Sequence, residues 1–395
     1  RPTHLSDYGT ELTDAIRFDT GHRIAHLRPA MALHPGVRAV DLPVGARALE
    51  RRVTATQKTI HPFPLGMSRR ARALVTDLLT FDPHDVDTVY SAHCHQAVEE
   101  LYYGQHDFAA LDLVADTLRA RRLLNPSGSW MLSYFYQALT LGEESVERAD
   151  DVALAEQWLK QNPRSAAARY VLGSQLVSWA WEARGGALAK DVDPKAWPIF
   201  TGRLTRAREV LEAGEAAHDP YLEEPLTTAL MGLQASPDEL HEAVLRVWAI
   251  DVAHVWAADR SYATSLLPRW GGSREAYRAF VEELVTRTRS KMGQSLYALV
   301  VGQGLGDPRF EDEIGPDWKR VSRGYNDLLR RYPGSQSYYQ LAVVTATVRH
   351  DHALLAQLKS ELLARKVCPN VDAATRQMLL AGFSAKLPAT NSDKT

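Results

Sequence analysis

One phrase occurs twice, towards opposite ends of the 395-residue chain: His106-Asp107-Phe108-Ala109-Ala110-Leu111 and His350-Asp351-His352-Ala353-Leu354-Leu355. Each copy joins stretches whose apolar residues recur at helical spacing: Leu101 and Tyr102 lead into the first, and Phe108, Leu111, Ala115 and Leu118 follow it. Two turns written alike between helices describe a stack of helical hairpins. In each, the Asp is placed to accept a hydrogen bond from the first free amides of the next helix. That reading as a cap is preferred to half of a catalytic dyad, because no nucleophile is indicated within reach.

The stretches between the phrases carry further helix signals. Ser68 precedes a stripe of Ala71, Leu74, Val75 and Leu78, and Asn125-Pro126 ends the first hairpin. Helices are expected at about 129 to 141, 150 to 161, 165 to 184, 195 to 217 and 222 to 234. Ser236-Pro237-Asp238-Glu239 combines a capping Ser, Pro at the first helical position and Glu at the third. Ser273 caps another helix, with Tyr277, Phe280, Val281, Leu284 and Val285 inward. The last pair runs from Trp318 to Tyr332-Pro333-Gly334 and from Tyr338 to the second His-Asp turn.

Residues 1 to 66 differ. Pro2, Pro29, Pro35, Pro43, Pro62 and Pro64 interrupt any long helix, so this part reads as an irregular Pro-rich arm with one amphipathic helix at Val44 to Gln57. The body spans 67 to 387, and 388 to 395 is a small polar tail. With 45% hydrophobic residues, the chain has enough apolar content for one large core or two moderate ones. The fold class expected is mostly α, a TPR-like α-solenoid of irregular hairpins behind the arm.

Tetratricopeptide repeats are the general likeness, although no clean period of about 34 residues can be laid on the chain. A narrower resemblance rests on Leu266-Leu267-Pro268-Arg269-Trp270-Gly271-Gly272-Ser273, Tyr297-Ala298, Trp318, Tyr332-Pro333 and Gly128-Ser129-Trp130. Together with the His-Asp turns, these resemble a family of bacterial helical-repeat proteins classed as a domain of unknown function, over roughly residues 95 to 365. The resemblance implies a fold and no chemistry.

Charge excludes some partners. Acids and bases nearly cancel, leaving a formal net charge of −2, so no overall field draws the chain to nucleic acid or to an anionic membrane. No apolar run approaches the roughly 20 residues that span a bilayer. Arg outnumbers Lys more than threefold, which reads first as the mark of a GC-rich genome. The chain starts at Arg1 rather than Met, which is compatible with removal of a signal peptide or a lipoprotein leader, or with a cloning boundary, so cytoplasm and periplasm both stay open. Cys94 and Cys368 alone make no disulfide framework, and an open stack would not bring them together.

Candidate sites compete with plainer roles. His93-Cys94-His95 with His106 offers zinc-binding types, but neighbours on a helix diverge, and no metal or other cofactor is expected. Gly302-Gln303-Gly304-Leu305-Gly306 lacks the Lys and the preceding strand of a phosphate loop, so it reads as a helix terminator. The pairs Glu143-Glu144 and Glu223-Glu224, and the run Glu311-Asp312-Glu313, read as solvated. In the Pro-Arg-Trp-Gly-Gly-Ser phrase, Arg269 and Trp270 either line a groove or are structural, Trp270 wedged between hairpins and Arg269 paired with an acid; the structural role is favoured.

The aromatic residues of the middle helices are more suggestive as a set. Tyr134, Tyr136, Trp179, Trp256 and Tyr262, with Arg260, Arg269 and Trp270, are the candidate binding residues of a concave wall. The function expected is a non-catalytic protein-binding module, an adaptor or inhibitor. One version is an immunity protein that blocks a secreted toxin with an acidic loop or with the arm. Two alternatives are kept. An enzyme would gather His254, Asp259 or Arg260 in a deep polar pocket, and a self-assembling structural protein would bury an apolar face against another copy.

Overall fold

Capping side chains decide where the helices begin. Ser165, Ser236, Ser273 and Ser335 each accept a hydrogen bond from the amide three residues on, at 2.9 to 3.2 Å. Asp107, Asp317 and Asp351 do the same at 3.0 to 3.1 Å. Each such bond satisfies an amide that has no partner within its helix. The two His-Asp phrases also share a backbone. His106 and His350 both take φ of +52°, and the amides of Asp107 and Asp351 each reach back 2.8 Å to a carbonyl of the preceding helical segment, Leu101 and Ala346.

The computed structural model describes residues 63, 66–80, 94–140, 148–186, 189–214, 218–369, 371 and 373–381. Phe63 and Gly66 apart, the Pro-rich arm lies outside these residues, as do His93, Glu143-Glu144 and the polar tail. Among them are sixteen α-helices. They are α1 (Arg69–Thr80), α2 (Phe108–Arg121), α3 (Met131–Thr140), α4 (Arg148–Gln161), α5 (Ala166–Arg184), α6 (Ala196–Glu212), α7 (Glu223–Gly232) and α8 (Pro237–Asp251). Then follow α9 (Ala257–Ser265), α10 (Arg274–Met292), α11 (Ser295–Val301), α12 (Pro308–Ile314), α13 (Trp318–Arg331), α14 (Gln336–Val348), α15 (His352–Leu363) and α16 (Ala373–Ala381). A π-helical turn, Glu99–Gly104, leads into the first His-Asp turn. The fold is mostly α.

Most helices pack on a chain neighbour, and α3, α5, α7, α9, α11 and α13 touch in succession as one layer. Small residues set how closely the layer packs. At Gly324 of α13 a Cβ would fall 2.4 Å from the Gln294 carbonyl and 2.6 Å from Ala298 Cβ, so α11 and α13 meet backbone to backbone. Helix α11, every residue of which is buried, lies deepest.

An open stack keeps its first and last hairpins apart, and here they touch. The loop before α3 meets the turn between α13 and α14: Ser127 Oγ is 2.8 Å from Ser335 Oγ, and the Tyr332 ring covers Gly128. Asn125 shapes that loop by accepting from the amides of Ser127 and Ser129, at 2.9 and 3.0 Å. Trp130 then carries it to the end of α8, donating to Asp251 at 2.8 Å. Cys94 and Cys368 are buried free thiols.

Two acidic stretches expected to be solvated are instead partly committed to partners in this chain, although Asp312 is exposed. Glu223 is buried and takes both nitrogens of a fork from Arg246 at 2.9 Å. Glu311-Asp312-Glu313 belongs to α12, where Glu311 accepts from Trp318 and Arg349, and Glu313 from Arg269. The pairing arginines lie 23 to 44 residues away in sequence, out of reach of a local reading.

Candidate functional site

The Pro-Arg-Trp-Gly-Gly-Ser phrase builds a turn that separates its two large side chains. After α9, Leu266 and Leu267 are buried, and Pro268 to Trp270 form a single 3-10 turn. Gly271 follows at φ +93°, and a Cβ on Gly272 would fall 2.1 Å from the Leu266 carbonyl oxygen, so both glycines are needed. Ser273 then caps α10. Arg269 is anchored to α12 through Asp307 at 3.1 Å and Glu313 at 2.9 Å.

Trp270 goes the other way. It is not buried as a wedge between hairpins: the side chain is 41% exposed. Its ring meets Trp181 edge-on at 5.9 Å. Trp181 in turn packs on Phe200 at 4.9 Å, and Trp197 on Phe200 at 5.9 Å. The Arg184 guanidinium lies over both Trp181 and Trp197, at 5.5 and 5.7 Å. The ends of α5 and α9 and the start of α6 thus assemble three tryptophans, one phenylalanine and an arginine. The Trp181 indole N–H is buried there with no hydrogen-bond partner among the described residues.

The other candidate residues are spread along the layer. Trp179 points away from this cluster, its ring under Arg203 at 3.5 Å. Trp256 is half-buried under Arg260 at 4.8 Å, and Arg260 lies 3.7 Å from Glu224. Tyr262 is buried, stacked on His241 at 5.3 Å and edge-on to Phe280 at 4.8 Å. Tyr134 is half-buried against the core. Of the eight, the structure joins Trp256 with Arg260, and Arg269 with Trp270 only through the turn. Trp197, Phe200 and Arg184 were not singled out by sequence. The spacing of Trp181 and Arg184, three apart on one helix, was the available signal.

Tyr136 is fully buried and belongs to a polar network rather than to a binding wall. Its hydroxyl donates to Asp219 at 2.5 Å, Arg119 reaches the same carboxylate at 2.8 Å, and the ring stacks on Tyr170 at 4.1 Å. Burial, then the neighbouring Asp219 charge, pushes the Tyr136 hydroxyl far above its ordinary pKa, so it keeps its proton for Asp219 while its oxygen accepts from Arg119 at 3.2 Å.

His254, Asp259 and Arg260 engage separate partners. His254 bonds Asp251, which also accepts from Trp130. Burial raises the Asp251 carboxyl, but the hydrogen bonds from His254 and Trp130 outweigh it and hold the group below its usual range. Asp259 is fully buried and pushed up to about 8 by desolvation, with Trp248 donating to one oxygen at 2.7 Å and the other oxygen unpartnered among the described residues. Among the described residues no group of three or more His, Cys, Asp or Glu side chains is placed to hold a metal.

Compared with protein-family models, with curated proteins and with solved structures, the chain gives no match to any of the three.

Proposed function

We propose that this chain is a non-catalytic protein-binding module, an adaptor or inhibitor, and that a partner docks on the cluster around Trp270. The observation that carries the reading is the exposed Trp270 ring backed by Trp181, Trp197 and Arg184. Trp and Arg are the residue types that most often dominate binding energy at protein interfaces. A ring already packed on one edge loses little freedom when a partner covers its other side. The Gly271-Gly272 turn fixes the presentation of that ring before any partner arrives.

An enzyme is the weaker reading, since it expected His254, Asp259 or Arg260 in a deep polar pocket with groups from other hairpins, and the three side chains are dispersed onto separate partners, Asp251, Trp248 and Glu224. Neutralising a toxin is one form the inhibitor would take. The acidic run of α12 no longer supports that form, because Glu311 and Glu313 are committed to arginines of this chain.

The test is a photo-crosslinking amino acid placed at position 270, with position 245 on α8 as an exposed control. Capture in host lysate of one protein at position 270 and not at 245 supports the reading. Equal labelling at both positions, or none at either, ends it.

A further inference from the structure

Two open cavities adjoin on the side of the molecule formed by α10, α13 and α15. The larger, about 580 Å³, is lined by Arg323, Arg330, Lys366 and Glu361, with the amides of Gln294 and Gln357. The smaller, about 270 Å³, is lined by Lys291, Arg331 and the Met292-Gly293 turn. They meet at Asp327 and Arg330, which line both. The larger falls within the volume range of ligand sites.

Charge in this double cleft is one-sided, although the whole chain is almost neutral. Five cations, Arg323, Arg330, Lys366, Lys291 and Arg331, face two acids. Both acids are engaged: Asp327 accepts from the main-chain N–H of Gln294 at 2.8 Å and from Arg330, and Glu361 accepts from the Gln357 side-chain amide at 3.0 Å. Lys291 and Lys366, one in each compartment, are exposed and have no ion-pair partner among the described residues. Arg323 has only a loose contact with Asp317, 3.8 Å.

We infer that the double cleft receives an extended acidic peptide segment, with carboxylates in both compartments, supplied by the protein partner. The inference rests on the binding-module reading and adds the chemistry of the partner. A compact anion such as phosphate is disfavoured, because Asp327 stands at the junction and divides the cations into two groups. A chain whose carboxylates straddle Asp327 meets Lys366 and Arg323 on one side and Lys291 and Arg331 on the other. Arginine forks and side-chain amides are suited to carboxylate oxygens.

The experiment uses the full chain and a fluorescent glutamate-rich peptide, followed by anisotropy, with its glutamine counterpart and inorganic phosphate as comparisons. Binding of the glutamate peptide is expected, weakening as salt is raised. Lys291→Glu and Lys366→Glu are each expected to weaken it, and together by about tenfold or more. The control pair Lys190→Glu and Lys195→Glu, exposed residues between α5 and α6, is expected to bind as the parent does. Circular dichroism checks that every variant is folded. Absence of peptide binding, unchanged binding in the cleft variants, equal loss in the control pair, or displacement by phosphate at concentrations matching the peptide would each overturn the proposal. Failure of the crosslink at position 270 alongside cleft-dependent peptide binding would instead remove the Trp270 docking reading and leave the cleft standing.

Discussion

Ser127 Oγ lies 2.8 Å from Ser335 Oγ across 208 residues of chain, and both side chains are buried. The contact joins the loop before α3 to the turn before α14. Beside it the Tyr332 ring occupies the space a Cβ on Gly128 would need, 2.1 Å from Cζ, and Gly128 has φ of +76°. Gly128→Ala therefore incurs both a clash and a strained backbone, an expected loss of about 2 to 4 kcal/mol in denaturant unfolding. Adding Tyr332→Ala to Gly128→Ala should recover the clash part only. A Gly128→Ala variant as stable as the parent would mean that the two turns do not meet.

Asp259 makes stability depend on pH in a direction opposite to the usual carboxylate. Its pKa is near 3.8 in an unfolded chain and about 8 when folded, so above pH 4 the unfolded state sheds the proton first. The stability associated with this group is full below pH 4, declines as pH rises, and levels off above pH 8. Asp259→Asn keeps an acceptor for the Trp248 N–H and cannot ionise. It is expected to match the parent near pH 4 and to exceed it at pH 8 by on the order of several kcal/mol. Parallel stability curves for the two proteins across that range would refute the assignment.

The paired His-Asp turns allow a test within one molecule. Asp107→Ala and Asp351→Ala each remove one capping bond, and each should lose about 1 kcal/mol. The two caps share no hydrogen-bond partner, so the double variant should lose the sum. His106→Gly and His350→Gly relieve a left-handed backbone at the expense of a more flexible unfolded chain, so each should change stability by well under 1 kcal/mol.

In the buried network, Tyr136→Phe removes one donor to Asp219 and leaves Arg119 in place, an expected loss of about 1 to 2 kcal/mol. Asp219→Ala removes the acceptor that Tyr136 and Arg119 share, while Arg119 keeps Asp116 at 2.7 Å and the Tyr136 oxygen at 3.2 Å, and about 2 to 3 kcal/mol is expected. Chemical denaturation of the two single variants and the double variant decides it. If Tyr136→Phe costs as much in the Asp219→Ala background as alone, the two side chains are not coupled.

Local signals carried the sequence reading a long way. Ser273, Ser236 and the two aspartates of the repeated phrase cap the helices assigned to them, because a cap depends on a few consecutive residues. The partners of Asp219, Glu223 and Glu313 could not be read, since they depend on which turns meet after the array has packed. Trp270 was misjudged for a different reason. Size favours burial, whereas the exposure of the ring depends on how the turn seats against Trp181 of α5, a contact between distant parts of the chain. Arg269 fills the structural role and Trp270 the exposed one.

Trp179, Trp181, Trp197 and Trp256 each lie beneath a guanidinium, from Arg203, Arg184, Arg184 and Arg260. A flat cation can cover an indole face and still offer its edge to water, which a lysine ammonium does not do. At these four tryptophans the arginines serve shape as well as charge. Lysine at these positions would preserve every charge in the molecule and give up the flat cover over each indole, so two chains of identical net charge would present different surfaces to water.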